Sequence, residues 1–540
     1  MNEKTSKSAE DLFICYKFPP MIDVGGIVLA KRALKKGKAI DVIHNCIEEP
    51  LDNDFNEIVE ELIDNRLTVR NFEYEENKNK MIEAFNNYIN KGLEKLENTN
   101  SNYKTITTRS WGLQPNFLAL EYKLKHPDTE WTAEFSDPII YDISNNRRTK
   151  LFKLADEDYA KKINAEIDKI NDTSKDNEFE HIHADDDIFL LCEYLAYLFA
   201  DKIVFTNENQ REIMLSQFPY DIKDFVMAKS LIDPHPTLDE KYYHIKEVDY
   251  EVDEDCINIG YFGTYFGKRN FEAIFYAIES LNDEIKNKIR LHLFINYGDN
   301  LNTFTNNLSI SKNIRVNEQV PLLEFLNLTT KLDVLLVNDT ETKGNFKINP
   351  YRPSKIADYL GSKKDIWGIC EKNSVMDSLE EIKYKSYIND FYSTKIAINQ
   401  IAQDYASKLN LDLDEDNLNK NKDIEDYCRK IFNKEPDDLN KEEILEILEE
   451  NEFLLNRVNH LNHLFNDTRG RGLFPREAKK IEEKNEKLSK DNKKLKNENK
   501  TLKAENKKIE SENKKYKKDL EYLKSTKGSL KYRLKKIAKQ

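Results

Sequence analysis

The chain has 540 residues, of which 39% are hydrophobic, 11% aromatic and 34% charged, and its formal net charge is -14 at pH 7. So many aromatic residues exclude a wholly disordered chain, and the length favours two or three domains with additional segments. The sequence holds no apolar run near the roughly 20 residues that span a membrane, and its start lacks the basic and apolar parts of a secretory signal. We therefore expect a cytoplasmic protein.

Cysteine spacing gives the same expectation. No two of the six cysteines form a CxxC pair, and most stand inside apolar strings. We expect reduced core side chains, with neither a zinc site nor a redox motif. The six are Cys15, Cys46, Cys192, Cys256, Cys370 and Cys428.

The first half of the chain alternates strands with helices. A buried strand is predicted from Leu12 to Tyr16, followed by a glycine-bearing loop at Asp23 to Gly26 and a helix that ends at Gly37. This order opens a Rossmann-type unit, so residues 1–235 are predicted to form one doubly wound α/β domain. Other strands are predicted at 39–45, 104–110, 130–136 and 200–207, and helices at 51–100, 150–180, 188–198 and 209–218.

A second βαβ series begins near Cys256 and assigns residues 236–405 to a second Rossmann-like domain. Two such sheets that face each other form a cleft suited to a transfer between two substrates, because parallel sheets bind ligands at the carboxyl ends of their strands. The predicted strands are 257–265, 290–298, 333–339 and 365–371, and the predicted helices are 270–281, 324–332 and 353–363.

The remaining residues have another pattern. Residues 406–475 are acidic and helical, 476–527 repeat apolar residues every seven positions as a coiled coil does, and 528–540 form a basic amphipathic tail. Residues 476–540 hold 24 Lys and Arg against 11 Asp and Glu, a net +13, which leaves -27 on the rest. The heptad positions are Ile481, Leu488, Leu495, Leu502, Ile509, Tyr516 and Leu523, preceded by Asn485, Asn492, Asn499, Asn506, Asn513 and Leu520.

This C-terminal region predicts a homodimer through the coiled coil, and the alternative is a lone charged helix. The tail could lie on an anionic membrane at the inner face of the cell, or it is a solvated end. Nucleic acid is not an expected partner, because the lysines alternate with Glu and Asn and stacking aromatics are scarce.

Two segments of the second half carry an anion-binding pattern. Gly263 and Thr264 end a strand, and Lys268 and Arg269 stand just before a helix, where side chains and helix dipole act together on a diphosphate. A tight turn with solvated cations is the alternative.

The second segment is residues 349–362, NPYRPSKIADYLGS. The proline at a first helical position leaves Ser354 and Lys355 with free amides at a helix start, and Asp358 lies one turn beyond. A carboxylate there can accept hydrogen bonds from the vicinal hydroxyls of a ribose. Helix capping with a surface aspartate is the alternative.

Residues 257–369 resemble the donor domain of retaining GT-B glycosyltransferases of the glycogen-synthase-like, group 1 type (glycosyltransferase family 4). GYFGTYFGKRN is similar to their strand-loop-helix entry, and PSKIADYLGS followed by IWGI is similar to the segment that grips the nucleotide sugar. In the first half PPMIDVGGIVLAKRAL, EWTAEFSDPIIYD and ADKIVFTNENQREIML resemble family segments more weakly, so the resemblance covers roughly residues 11–400.

The resemblance implies transfer of a sugar from a nucleotide-diphosphate sugar to a hydroxyl acceptor, with the domains closing over the donor. Basic side chains, here Lys268 with Arg269 or Lys355, neutralise the leaving diphosphate in such enzymes, and no metal or other cofactor is required. Asp358, followed by Tyr359, takes the place of the family's second glutamate and holds the ribose. Gly25 and Gly26 let the first loop approach the donor.

One departure concerns the sugar contacts. The family often has a glutamate eight positions before the second one, and that position here is Pro350. Asn349 or Asp339 is a candidate to contact the sugar instead.

Three polar residues follow predicted strands of the first half, where ligands bind. Asp137 and His44 are candidate catalytic residues, and Arg109 is a candidate sugar contact. The run HIHADDD, residues 181–187, resembles a set of metal ligands, but helix capping by acidic first-turn residues explains it without an ion.

The sequence thus predicts a glycosyltransferase acting in surface polysaccharide, glycolipid or glycoprotein synthesis. The alternative is a catalytically degenerate GT-B scaffold whose coiled coil mediates assembly. The absent first glutamate favours the scaffold, whereas the retained anion-binding segments favour the enzyme.

Overall fold

The computed structural model describes residues 9–46, 51–70, 78–99, 102–110, 112–148, 153–173, 178–263, 271–279, 281, 283–296, 310–388 and 390–409. The acidic segment from residue 410, the coiled coil at 476–527 and the tail at 528–540 lie outside these residues, as do Thr264, Lys268 and Arg269. Predictions made for them stay predictions.

The first half is a seven-stranded parallel sheet with strand order β3-β2-β1-β4-β5-β6-β7. The order runs outward in both directions from the β1–β4 junction, which is the topology of a Rossmann-type sheet. Its strands are β1 (Asp11–Cys15), β2 (Ile40–Cys46), β3 (Ile63–Arg70), β4 (Thr105–Ser110), β5 (Glu130–Phe135), β6 (Lys202–Phe205) and β7 (Ser230–Ile232). Its helices are α1 (Val24–Lys36), α2 (Asn53–Glu60), α3 (Lys78–Asn98), α4 (Gln114–Lys125), α5 (Glu157–Thr173), α6 (Ile188–Phe199), α7 (Glu208–Leu215) and α8 (Tyr220–Lys229).

The second half repeats this topology in a six-stranded parallel sheet of order β10-β9-β8-β11-β12-β13. Its strands are β8 (Ile257–Gly263), β9 (Ile289–Ile295), β10 (Ile314–Glu318), β11 (Val334–Asn338), β12 (Asp365–Cys370) and β13 (Tyr384–Tyr387). Its helices are α9 (Glu272–Glu279), α10 (Asp283–Lys286), α11 (Leu322–Lys331), α12 (Lys355–Ser362), α13 (Val375–Ser378), α14 (Phe391–Asp404) and α15 (Ala406–Leu409). The predicted α/β architecture of two Rossmann-like sheets is confirmed.

The strands at the switch points are buried throughout and mostly apolar. Every residue of β1, β8 and β11 is buried, as expected for a parallel strand covered on both faces. One apolar core joins the halves, since Phe13 and Leu29 of the first half belong to the same buried cluster as Phe325 and Tyr359 of the second.

The prediction of helix throughout residues 51–100 was wrong, because β3 occupies Ile63–Arg70. Strands β7, β10 and β13 were also not predicted. All four lie at or next to the edges of their sheets, where one side of the strand meets no neighbour and polar residues are tolerated. The sequence IDNRLTVR therefore lacks the apolar run that marks a central strand.

Helix α1 begins at Val24, three residues earlier than predicted. Asp23 accepts a hydrogen bond from the Gly26 amide at 2.8 Å, and Gly37 ends the helix in a left-handed conformation with φ +61°. Gly25 and Gly26 therefore belong to the first turn of α1 and not to a loop before it.

Candidate functional site

The loop at residues 339–354, which follows β11, lies against the first half of the chain. Asn207 Nδ2, just after β6, donates a hydrogen bond to the Pro350 carbonyl at 3.0 Å. The Phe346 ring is buried among apolar side chains that cover the first sheet. The carboxyl ends of the two sheets therefore meet at this loop, and two of the predicted site residues, Asn349 and Ser354, belong to it.

Asp358 in α12 forms an ion pair with Lys31 in α1, and both side chains are almost fully buried. The Asp358 carbonyl also accepts a hydrogen bond from the Tyr243 hydroxyl at 2.6 Å. The carboxylate predicted to hold a ribose is thus engaged by an ammonium group of the other half.

Arg109, at the end of β4, is the centre of a buried charge network. Its Nη1 donates to Glu134 Oε2 at 3.0 Å, and Arg32 Nε lies 2.7 Å from the other oxygen of that carboxylate. Arg32 also pairs with Asp233 at 2.6 Å. Arg109 Nη2 lies 2.9 Å from His235 Nε2, and burial together with the Arg109 charge lowers the pKa of His235 well below its ordinary value. His235 is therefore neutral.

Asp137 follows β5 and is half-buried. Burial raises its pKa, and the charges of Arg109 and Arg148 oppose that shift. Glu193 in α6 holds the segment after Asp137, because its Oε1 accepts the backbone amides of Ile139 at 2.9 Å and Ile140 at 3.1 Å. Burial raises the pKa of Glu193 to about 8. The position of Asp137 is thus fixed from within the core.

Arg352 lies in the 339–354 loop, half-buried and close enough to lower the pKa of His235. Among the described residues it has neither a hydrogen bond nor an ion pair. Burial lowers its own pKa, and the nearby Glu381 charge opposes this shift. Glu381 lines a cavity of about 590 Å³ together with residues 378–380. A guanidinium at the meeting of two sheets that forms no ion pair with Glu381 or with any other described residue can receive an anion.

His44 lies inside β2 with both ring nitrogens engaged. Its Nδ1 lies 2.6 Å from the Asn45 carbonyl and its Nε2 lies 3.1 Å from Arg66 Nη1. Burial lowers its pKa to about 4. The structure gives this predicted catalytic residue the surroundings of a neutral core side chain.

Gly26 packs directly against the chain segment after β1. A Cβ at this position would lie 2.3 Å from the Lys17 carbonyl oxygen and 2.9 Å from the Phe18 Cα. Backbone atoms cannot move aside as a side chain can, so the close approach of α1 requires glycine here. This requirement is structural and holds without a donor.

Gly263 ends β8, and the predicted diphosphate contacts that follow it lie outside the described residues. A Cβ at Gly263 would lie 2.9 Å from the Tyr261 hydroxyl oxygen.

Ser354 and Lys355 stand where the sequence predicted, at the start of α12. The Ser354 side chain makes no capping hydrogen bond. Tyr359 is fully buried, and its hydroxyl donates to the Leu336 carbonyl at 3.1 Å. The structure therefore places Tyr359 in the core between α12 and β11.

Asn349 links the 339–354 loop to the ends of two strands. Its Nδ2 donates to the Thr340 carbonyl at 2.9 Å and to Glu371 Oε2 at 2.8 Å, and lies 3.2 Å from Asp339 Oδ1. Burial raises the pKa of Asp339 to about 7. The amide is thus fully engaged by the protein, and two carboxyl groups, Asp339 and Glu371, stand at the carboxyl edge of the second sheet.

Sequence reasoning missed several of these residues. Glu134 interrupts the apolar strand EWTAEF, His235 lies between two prolines, and Arg352 precedes a proline. A charge inside a buried strand is a signal that could have been used. The others carry no local signal, since only folding brings them to their partners. The missed residues are Lys31, Arg32, Glu134, Arg148, Glu193, His235, Tyr351, Arg352 and Glu371.

The acidic run before α6 serves as a helix cap. Asp187 accepts the amides of Phe189 at 2.8 Å and Leu190 at 3.4 Å, and His183 donates its amide to Asp186 at 2.7 Å. The predicted capping is confirmed. Within the described ranges, no group of three or more His, Cys, Asp or Glu residues could hold a metal ion, and no helix is long and apolar enough to cross a membrane.

No protein-family profile matches the sequence, and no curated protein matches it. Solved structures similar to this one include HepE of Anabaena in complex with UDP and glucose, at 8% identity and a TM-score of 0.45 over 74% of this chain and 91% of that one. The lipopolysaccharide outer core galactosyltransferase WaaB matches at 8% identity and 0.43 over 73% and 90%. UDP-GlcNAc 2-epimerase from Neisseria meningitidis, bound to UDP-GlcNAc, matches at 10% identity and 0.41 over 74% and 94%. At these scores the likeness assigns neither family nor activity to this chain.

Proposed function

We propose that this chain is a GT-B glycosyltransferase that moves a sugar from a nucleotide-diphosphate sugar to a hydroxyl acceptor. The acceptor would belong to surface polysaccharide, glycolipid or glycoprotein synthesis. The architecture supports the proposal, because two parallel sheets meet at the carboxyl ends of their strands, where such sheets bind ligands.

Arg352 is the observation that carries the proposal. Among the described residues its guanidinium forms neither a hydrogen bond nor an ion pair, Glu381 being its nearby opposite charge, and it is half-buried beside the charge network of Arg109. A charge left unpaired in such a place is costly unless an anion binds there. The diphosphate of a donor supplies that anion, and Arg352 would stabilise it as it leaves without help from a metal.

In the proposed reaction the acceptor oxygen forms a bond to the sugar's anomeric carbon. The bond from that carbon to the phosphate oxygen breaks, and its electron pair leaves with the nucleoside diphosphate. The proton of the acceptor hydroxyl passes to the Asp137 carboxylate, whose raised pKa suits a general base. A single displacement with Asp137 as the base inverts the anomeric carbon, whereas the sequence resemblance implies retention, so the configuration of the product tests which course the reaction takes.

The test is a thermal-shift titration of the full chain with UDP-, GDP-, ADP- and dTDP-sugars, with and without Mg²⁺. We expect one nucleotide class to raise the melting temperature, because binding to the folded state stabilises it. Arg352→Ala should weaken that ligand roughly 10- to 100-fold, the value of a charged hydrogen bond. The double variant Lys268→Ala with Arg269→Ala tests the predicted diphosphate contacts that lie outside the described residues.

The matched control is Arg315→Ala. Arg315 belongs to β10, is partly exposed and pairs with Asp253 at 2.6 Å, away from the meeting of the sheets. This variant should keep the full nucleotide response. No shift with any donor at millimolar concentration would reject the enzyme and favour the degenerate scaffold.

A further inference from the structure

The backbone just before Arg352 is held by side chains of the first half. Asn207 Nδ2 donates a hydrogen bond to the Pro350 carbonyl at 3.0 Å, and Asn209 Nδ2 donates one to the Asn349 carbonyl at 3.0 Å. Asn207 is the N-cap of α7 and Asn209 lies in its first turn, so one helix start presents both amides. Two consecutive carbonyls of the loop after β11 are therefore bound by the same turn of the other half.

The same stretch of backbone is held from the second half by Glu371, just after β12. Its Oε2 accepts hydrogen bonds from Asn349 Nδ2 at 2.8 Å, from the Thr342 amide at 2.9 Å and from the Thr342 hydroxyl at 2.8 Å. Asn349 passes this restraint along the chain, because its Oδ1 accepts the Tyr351 amide at 2.9 Å. The next residue is Arg352.

A third amide of the first half binds the loop further from Arg352. Asn145, between β5 and α5, donates from Nδ2 to the Asn345 carbonyl at 2.7 Å. The neighbouring Phe346 ring is buried in the core cluster of the first sheet. Asn145 has a left-handed backbone with φ +58°, which asparagine adopts more readily than most residues. The loop is thus bound to the first half at two separate places along its length.

These restraints limit where Arg352 can reach. The amide of Tyr351 is bound on one side, and Pro353 on the other side restricts the backbone of the residue before it. The side chain is half-buried, and burial together with the charges of nearby cations, Arg352 among them, lowers the pKa of His235 in the first half. A guanidinium that starts from a fixed backbone loses less conformational freedom when an anion binds.

We propose that Asn207, Asn209 and Glu371 are positioning residues for Arg352, which hold its guanidinium ready for the diphosphate of the donor. This rests on the proposed function. Each of the three acts through the backbone of residues 349–351 and not by a contact of its own with the donor. Because two of them belong to the first half, affinity for the diphosphate depends on the contact between the halves.

Serine substitutions test the two asparagines without adding charge or removing the helix cap. Asn207 Oδ1 accepts the Gln210 amide at 2.8 Å, and serine is an equally good N-cap. Its shorter side chain lacks the amide that donates to the Pro350 carbonyl. Asn209→Ser removes the second amide in the same way. We call Asn207→Ser with Asn209→Ser the serine double variant.

Glu371 offers a rescue by its conservative substitution. Glu371→Ala removes the oxygen that binds Asn349 and Thr342, whereas Glu371→Gln keeps an acceptor oxygen for them. If Glu371 acts by holding the loop, glutamine should retain what alanine loses. If its charge were what matters, the two variants should behave alike.

The experiment is calorimetry on the full chain with UDP, GDP, ADP and dTDP, their nucleosides, and pyrophosphate. We expect the serine double variant and Glu371→Ala each to weaken the nucleoside diphosphate that binds by about 3- to 10-fold, the value of one net hydrogen bond. The affinity for the matching nucleoside should not change, because the nucleoside lacks the phosphates that Arg352 receives. Glu371→Gln should keep the wild-type affinity.

A double-mutant cycle with Arg352→Ala tests whether these residues act through the guanidinium. The serine double variant should have no further effect on diphosphate affinity in the Arg352→Ala background, because the group that it positions is gone. An equal fold-loss in both backgrounds would show that the asparagines act without Arg352 and would overturn the proposal.

The matched control is Asn164→Ala. Its Nδ2 also donates to a backbone carbonyl, that of Ile182 at 2.9 Å, but both residues belong to the first half. The change should lower the melting temperature and leave diphosphate affinity unchanged. If it weakens the diphosphate as much as the serine double variant does, the effect is general destabilisation and the positioning role is rejected.

The probes separate this proposal from the proposed function. If a nucleoside diphosphate binds through Arg352, but the serine double variant and Glu371→Ala bind it as the wild type does, positioning is rejected and the proposed function stands. If pyrophosphate binds with the expected dependence on these residues and no nucleotide binds, positioning stands and the proposed function is rejected. If neither probe binds the wild type, both are rejected.

Discussion

Lys31 and Asp358, 327 positions apart, form an ion pair whose side chains are only 5% and 6% exposed. The pair joins α1 of the first half to α12 of the second. Asp358 is also the carboxylate that the sequence resemblance assigns to a ribose. A donor that uses it must therefore share it with Lys31 or displace that ammonium group.

Lys31→Met should destabilise the protein by about 3–5 kcal/mol, because it leaves the Asp358 charge buried without its partner. The double variant Lys31→Met with Asp358→Leu should recover most of that loss, since two apolar side chains replace the pair. Urea denaturation of the four proteins in a double-mutant cycle measures the coupling. A cost below about 0.5 kcal/mol for the single change would show that the pair contributes nothing to holding the halves together.

Glu193→Gln should remove a pH dependence of stability. Burial raises the pKa of Glu193 from 4.5 to about 8 in the folded protein, so the folded state binds a proton that the unfolded state releases between these values. The free energy of unfolding of the wild-type protein therefore falls as the pH rises from 4.5 to 8, by at most about 1.4 kcal/mol per pH unit. Gln keeps an oxygen for the Ile139 and Ile140 amides and does not ionise.

Chemical denaturation at pH 5, 6.5 and 8 checks this. The stability of the Glu193→Gln variant relative to the wild type should increase as the pH rises. Parallel curves would mean that Glu193 does not titrate in this window. Glu193→Ala should be less stable at each pH by about 2–4 kcal/mol, because it leaves two buried amides unpaired and opens a cavity.

Gly26→Ala should destabilise the chain by about 2 kcal/mol or more, because the added Cβ would lie 2.3 Å from the Lys17 carbonyl oxygen. The matched change is Gly37→Asn at the other end of α1, where no atom lies within 4 Å and Asn tolerates the left-handed φ of +61°. It should cost less than about 1 kcal/mol. The melting temperatures of both variants measure these two costs. If Gly26→Ala keeps normal stability but loses nucleotide binding, this glycine has the role that the resemblance implies, which is to let the chain approach the donor.

Sequence patterns predicted most of the fold because the signals are local. The buried runs of β1, β8 and β11 mark central strands, and the capping residues Asp23 and Asp187 mark the starts of helices. Strand β3 was not predicted, because it lies at a sheet edge and its exposed side allows polar residues to interrupt the apolar run.

The candidate site was predicted only in part. Residues in a recognisable segment, Ser354 and Lys355, stand where expected at the start of α12. His44 was chosen for its place at a strand end, and its two ring nitrogens face the Asn45 carbonyl and Arg66 Nη1. Arg352 and Glu193 were missed, since nothing near them in the chain indicates which charges they face.

The sequence by itself determined the two series of strands and helices, because periodicity, caps and turns act between neighbours along the chain. Only the tertiary structure decided which polar groups lie together. Arg109 reaches His235 across 126 positions and Lys31 reaches Asp358 across 327. Such pairs form because the strand order and the docking of the 339–354 loop bring distant strand ends together, and burial then makes the partner of each charge matter.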